Sequence, residues 1–170
     1  MKYISLKNIS KNSKGYYGIG ASSCKYTPNY PQYLRITDIS DDGFVPNILP
    51  TSININEYQD YKKYFLKKND IVFARTGNST GRNYFYEGED NKIVFAGFLI
   101  KFSLLDDLIV PKYVKYYCQS QDYKNQIDSI CTGSTRNNIN AEQYAELKIP
   151  IKTLNTQQHI VDIRRKLYAY

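Results

Sequence analysis

The chain has 170 residues, 42% of them hydrophobic, with eighteen tyrosines, seven phenylalanines, no tryptophan and a formal charge of +7. That length suits one domain with its own core, and no apolar run approaches the ~20 residues that span a membrane, so with a polar start and no leader pattern the expectation is a cytoplasmic protein. The cysteines, Cys24, Cys118 and Cys131, form no CxxC pair and have only His159 to help them, which leaves neither a zinc spacing nor a disulfide framework.

Residues 3–9 alternate weakly and read as a strand or short lead-in. Residues 15–31, rich in Gly, Tyr, Ser, Asn and Pro, read as loop with strand fragments. Residues 33–39 alternate with period two and predict a strand that Asp42-Gly43 closes as a turn. Residues 56–66 predict a helix with Tyr58, Tyr61, Phe65 and Leu66 near one face and Asn56 as its cap. Lys68-Asn69-Asp70 is a turn into a short buried strand at residues 71–74, and a glycine-bracketed polar loop follows at residues 75–82.

Strands are expected at residues 83–86 and 92–102, separated by an acidic turn at residues 87–91. Pro111 opens a helix that runs to Ile130, with Val114, Tyr117, Cys118, Tyr123 and Ile127 as its buried positions. A polar loop at residues 131–140, a short helix at 141–146 and a strand at 147–151 come next. The last segment, residues 155–170, is helical with Ile160, Ile163 and Leu167 in one narrow stripe. The reading is α+β: a strand-rich half, a flanking helix, a loop and a terminal helix.

Charge is segregated along the chain. Residues 1–37 contain Lys2, Lys7, Lys11, Lys14, Lys25 and Arg35 and no acid. Residues 38–60 contain Asp38, Asp41, Asp42, Glu57 and Asp60 and no base, and residues 62–82 return to Lys62, Lys63, Lys67, Lys68, Arg75 and Arg82 against Asp70 alone. Such blocks build surface fields of one sign, as phosphate binding requires; a solvated basic face is the plainer alternative. The tyrosines fit a half-exposed surface of amphipathic rings, or equally the codon bias of an AT-rich genome.

Nothing in the chain assembles a reaction. Gly15 to Gly20 reads Gly-Tyr-Tyr-Gly-Ile-Gly, which is not a strand-to-helix phosphate turn, and no Walker motif or methylating Asn/Asp-Pro-Pro-aromatic site is present. Acid-x-Lys tripeptides occur, as at Asp60-Tyr61-Lys62, but without the Pro-Asp pair of a nuclease. His159 has no nucleophile motif around it. No cofactor is expected.

Two donor-rich loops remain. Arg75, Thr76, Asn78, Ser79 and Arg82 offer hydrogen bonds to phosphates and base edges; the alternative is a tight turn whose arginine pairs with a carboxylate. Ser134, Thr135, Arg136 and Asn137 precede a helix that Asn140 can cap, either a phosphate site or an ordinary polar loop. Tyr16, Tyr17 and Lys25 are the next candidates for DNA contact.

Seven segments carry a resemblance. They are Tyr-Gly-Ile-Gly-Ala-Ser at residues 17–22, Tyr-Leu-Arg-Ile-Thr-Asp-Ile at 33–39, and Leu66 followed by Asp-Ile-Val-Phe-Ala-Arg-Thr-Gly at 70–77. Then come Val-Phe-Ala-Gly-Phe-Leu-Ile at 94–100, Gly-Ser-Thr-Arg-x-x-Ile at 133–139, Leu-x-Ile-Pro-Ile at 147–151 and Gln-Gln-x-Ile-Val at 157–161. Together, and in this order, they resemble one target-recognition domain of the type I restriction–modification DNA specificity subunits, over nearly the whole chain.

The resemblance implies a strand-rich recognition domain with a curled mixed sheet at residues 1–152 and the start of a connecting spacer helix at residues 153–170. It implies a non-catalytic subunit that reads double-stranded DNA at one half of a split site and directs a methyltransferase (modification) subunit and a nuclease there. A second recognition domain or a second copy would then meet the Ile160, Ile163 and Leu167 stripe. Two alternatives stand beside it: a recognition domain detached from a fused restriction–methyltransferase enzyme, and a protein-binding decoy of the same fold.

Overall fold

The computed structural model describes residues 1–133 and 135–169. Among the described residues ten strands fall into three sheets. β1 (Lys2–Ser5) pairs antiparallel with β10 (Lys148–Ile151), joining the two ends of the fold. One four-stranded antiparallel sheet has the order β2 (Tyr16–Tyr17), β9 (Leu99–Ser103), β6 (Asp70–Ala74), β7 (Asn83–Phe85). The other is mixed, in the order β3 (Ser23–Lys25), β5 (Thr51–Ile53), β4 (Gln32–Leu34), β8 (Ile93–Phe95), with β4 and β8 parallel. Helices α1 (Pro111–Tyr117), α2 (Gln121–Cys131), α3 (Ala141–Ala145) and α4 (Leu154–Leu167) complete it. The α+β, strand-rich class holds, with the strands shared among three sheets, one of them mixed.

Four sequence expectations are corrected. The strand expected at residues 33–39 stops at Leu34, because the Asp38 carboxylate accepts the Arg35 backbone N–H at 2.9 Å and its guanidinium at 3.1 Å, closing a turn. Residues 59–64 form a 3₁₀ helix rather than an α-helix from Asn56; Asn56 lies in a separate turn at residues 55–57, where the Asn54 side-chain oxygen accepts its N–H at 3.1 Å. The strand expected at residues 92–102 is two strands in different sheets, broken at residues 96–98. The helix expected from Pro111 to Ile130 breaks after Tyr117, and Ser120 caps a second helix by accepting the Tyr123 N–H.

The break at residues 96–98 carries the chain from the mixed sheet to the antiparallel one. Beside it, residues 16–19 make the same crossing, pairing first with β9 and then, at Ile19, with Ala96. Gly18 permits this approach: a Cβ there would lie 2.1 Å from the Ala96 carbonyl oxygen.

β6 is buried along its whole length because both of its faces are covered. Ile71 and Phe73 point into a core shared with the helices, while Val72 and Ala74 point into the core of the mixed sheet. Phe73 stacks on Tyr144 of α3 with ring centroids 4.8 Å apart and meets Phe102 edge-on at 6.0 Å. The Asp70 carboxylate, at the head of β6, is held by the Lys67 N–H, the Ser103 hydroxyl and Lys101. All five expected helical core positions, Val114, Tyr117, Cys118, Tyr123 and Ile127, are buried.

α4 starts at a Thr153 cap. Its buried residues are Gln157 and Val161: Gln157 accepts the Val110 N–H at 2.7 Å and donates to the Lys152 carbonyl at 2.8 Å. Of the expected stripe, Ile160 is half-buried against the core, while Ile163 and Leu167 are exposed. No helix among the described residues is long and apolar enough to cross a membrane.

Candidate nucleic-acid interface

The two donor-rich loops, separate in sequence, are one structure. Thr76 and Asn138 form an antiparallel bridge. The Ile139 N–H donates to the Arg75 carbonyl at 2.8 Å, and the Gly77 N–H donates to the Asn137 carbonyl at 3.1 Å. Thr80 closes the first loop by donating its hydroxyl to the Gly77 carbonyl at 2.8 Å.

Buried tyrosines fix this pair of loops to the core. The Tyr144 hydroxyl donates to the Ala74 carbonyl at 2.6 Å and accepts the Gly81 N–H at 3.2 Å. The Tyr123 hydroxyl donates to the Gly81 carbonyl at 2.6 Å, where Asn83 also donates. Desolvation pushes both phenols up from their ordinary value, so they remain neutral donors.

Tyr17 ties the amino-terminal segment to the same place. Its hydroxyl accepts the Ala141 N–H at the start of α3 at 3.0 Å, and the Arg75 guanidinium lies 5.0 Å from its ring centroid. Arg75 also donates its backbone N–H to the Phe98 carbonyl at 3.0 Å. Its Nε is buried with no hydrogen-bond partner, and no carboxylate among the described residues pairs with it.

Arg82, at the other end of the loop, is engaged within the protein. Its Nε donates to Asp41 at 2.7 Å, and its Nη1 reaches the Ile39 carbonyl and the Ser79 hydroxyl, each at 3.4 Å. Asn78 is exposed on the 3₁₀ turn Gly77–Ser79. Thr135, Arg136 and Asn137 are exposed, and Ser134 lies outside the described residues. Lys25 sits on β3 of the mixed sheet, opposite Thr51, and is not brought to the loops.

Beside Tyr17 the surface opens into a cleft of about 530 Å³. Tyr16 and Tyr17 line it with Lys11, Lys62, Lys63, Lys67 and Lys101, the last of which is paired with Asp70. Tyr16 is held by the Asn12 amide at 2.9 Å and has the Lys14 ammonium 5.0 Å from its ring centroid. The fold therefore brings the two basic blocks of the sequence to one place. Sequence reasoning missed Lys11, Lys62, Lys63 and Lys67 as site residues; the segregation of charge was the signal that pointed to them.

A concave, cationic, tyrosine-walled surface continuous with two donor loops is suited to a phosphate backbone, with base edges within reach of the loops. Among the described residues no group of three or more His, Cys, Asp or Glu is placed to hold a metal ion.

The sequence model of a family described as "Type I restriction modification DNA specificity domain" matches residues 2–169. No curated protein matches the chain. Among solved structures, an HsdS subunit from Thermoanaerobacter tengcongensis is similar with a TM-score of 0.68 at 15% identity, over 98% of this chain and 41% of that one. A type I restriction–modification S subunit from M. genitalium gives 0.61 at 17% identity, over 95% and 37%. A chain from a structure concerned with assembly and conformational transition of the type I R-M system gives 0.63 at 12% identity, over 99% and 42%. At these identities the likeness is one of fold, and the chain spans about two fifths of the length of those solved chains.

Proposed function

The chain belongs to the type I restriction modification DNA specificity domain family, and from that premise we propose that it reads one half of a split site in double-stranded DNA. In this reading it has no catalytic centre, works in the cytoplasm, and brings a methyltransferase subunit and a nuclease to the site it selects. Residues 1–152 are the recognition domain and residues 153–170 begin the connecting helix. The exposed Ile163 and Leu167, with half-buried Ile160, then face a second recognition domain or a second copy.

The observation that carries the reading is the meeting of three sequence-distant elements at Tyr17: the loop from Arg75, the loop before Ala141, and the lysine-lined cleft. DNA contact is assigned to Arg75, Thr76, Asn78 and Ser79, to Thr135, Arg136 and Asn137, and to Tyr16, Tyr17, Lys11, Lys62, Lys63 and Lys67. Ser134 belongs by sequence to the second loop. Arg82 and Lys25 are secondary: one faces Asp41, and the other lies on the mixed sheet.

The test is duplex DNA binding by the full chain assembled with its methyltransferase subunit, as a function of salt. Phosphate contacts release counterions, so affinity is expected to fall steeply between about 50 and 200 mM salt. The double substitution Lys62→Ala/Lys63→Ala makes that fall shallower, lowering the slope by about 0.9 for each phosphate the protein no longer neutralises. Association with the methyltransferase together with absent or salt-independent DNA binding would overturn the reading in favour of a protein-binding decoy.

A further inference from the structure

The arginines of this chain are held in different ways. Arg35, Arg82 and Arg165 each face an aspartate: Asp38 at 3.1 Å, Asp41 at 2.7 Å and Asp162 at 4.0 Å. Arg75 has none, and its Nε is buried without a partner. A buried donor with nothing to bond costs about 1–3 kcal/mol, so an arrangement that keeps it calls for a physical reason.

The backbone around Arg75 is fixed on both sides. It leaves the fully buried β6, donates to Phe98, and accepts from Ile139. Its guanidinium is then seated near the Tyr17 ring, and Tyr17 is itself fastened to the start of α3. Stacking holds a guanidinium through its face and leaves its edge available. A phosphate does not need such preparation; lysines such as Lys62 and Lys63, both exposed in the cleft, serve it as point charges. A pre-placed planar fork suits the paired acceptors O6 and N7 of guanine in the major groove. With Nε turned into the protein, the two terminal nitrogens are the ones left to reach them.

We propose that Arg75 is a specificity-determining residue that reads a guanine through its terminal nitrogens, with Tyr17 as its positioning residue. The cleft lysines then hold phosphates without regard to sequence. This rests on the DNA-reading function proposed above and adds which side chain selects and which ones only bind.

The experiment is methylome sequencing of cells that express the full chain with its methyltransferase subunit. The expected wild-type result is a methylated motif with a fixed G·C pair in the half read by this chain. Arg75→Lys keeps the charge and loses the fork, and is expected to admit other bases at one position, discrimination there falling on the order of tenfold or more. Arg75→Ala and Tyr17→Leu relax the same position. Tyr17→Phe keeps the ring but loses the bond to Ala141, and relaxes that position less. Lys62→Ala/Lys63→Ala lowers methylation at all sites alike and leaves the motif intact.

Reduced methylation with an unchanged motif in both Arg75 variants would make Arg75 a phosphate contact and overturn the inference, while the proposed function stands. A wild-type assembly that methylates no motif, or one that persists when the chain is removed, overturns the function and the inference with it. Thermal melting of each variant separates misfolding from misreading. If Arg75→Ala does not fold, Arg75→Lys and Tyr17→Phe decide the matter.

Discussion

The loop of residues 75–82 joins two electrically different regions of one surface. At its first end Arg75 lies beside Tyr17 and the lysine-lined cleft, with no carboxylate among the described residues to neutralise it. Of the five cleft lysines, Lys101 is held by the buried Asp70 at 3.4 Å and Lys63 reaches the exposed Asp60 at 3.5 Å, while Lys11, Lys62 and Lys67 form no ion pair among the described residues. At the far end of the loop Arg82 meets Asp41 of the acidic block, and beyond it Glu87 is bridged by Lys112 and Lys115. The first region therefore keeps a surplus of positive charge for an anion, while each of these cations of the second already contacts a carboxylate. The lesson is that residue type does not assign a role in this loop: two arginines seven positions apart are placed for opposite purposes.

The contrast depends on the loop keeping its shape, and Gly81 is the point at which that shape is most exposed to change. Its φ is +90°, and a Cβ would meet Ile127 at 2.8 Å. Gly81→Ala therefore combines left-handed backbone strain with a crowded contact, an expected loss of about 2–4 kcal/mol in denaturant unfolding. A loss under about 0.5 kcal/mol, the usual range for neutral surface changes, would mean that the loop is not pinned there.

Tyr144→Phe probes the same pin more gently. The Gly81 N–H that it strands also donates to the Ala74 carbonyl at 3.1 Å, so each orphaned group keeps one partner. The expected cost is about 1 kcal/mol, one net hydrogen bond, with the Phe73 stack preserved. A much larger loss would show the hydroxyl to be the sole support of the loop.

The run of residues 71–74 read as a buried strand because apolar residues of that density have only one use, and the structure buries all four, with Asp70, expected in the turn, as the first residue of the strand. The α3 start read correctly from Asn140, a cap local enough to see, and the structure adds a reciprocal bond from Gln143 that the reading did not include. Strand breaks at Leu34 and Ala96 were hidden, since one depends on a side chain folding back from Asp38 and the other on a change of sheet. The union of the two loops was hidden for the same reason: the bridge from Thr76 to Asn138 joins residues far apart in the chain. Periodicity likewise selected Ile163 and Leu167 on α4 and passed over Val161, which is the position the core takes.

Arg82 and Asp41 sharpen the comparison at a smaller scale. Asp41 is 84% exposed in its side chain, so the pair is worth about 0–1 kcal/mol, and neither Arg82→Ala nor Asp41→Asn should shift unfolding beyond that. In DNA binding by the assembled complex, Arg82→Ala is expected to cost a few-fold at most and to leave the methylated motif unchanged. Asp41→Asn is expected to raise affinity slightly, since it removes a negative charge and frees Arg82. A loss from Arg82→Ala equal to that from Arg75→Ala would erase the distinction between the two regions.

An effect of the same small size is expected at the other end of this region, at Glu87. Burial alone would raise its carboxyl pKa, but the ammonium groups of Lys112 and Lys115 outweigh burial and hold it below its ordinary value of 4.5. A depressed folded value means that the charged form stabilises the fold above the unfolded pKa, and that this contribution disappears as pH falls through the folded one. Glu87→Gln should therefore destabilise at neutral pH by about 0.2–1 kcal/mol, within the range of partly exposed ion pairs. The gap should close as pH drops below 4.5, where wild-type Glu87 also becomes neutral. Urea unfolding of both proteins across that interval checks the sign. A gap that stays constant into acid would mean that Glu87 holds α1 to the turn after β7 by packing rather than by charge, and the second region would then end at Asp41.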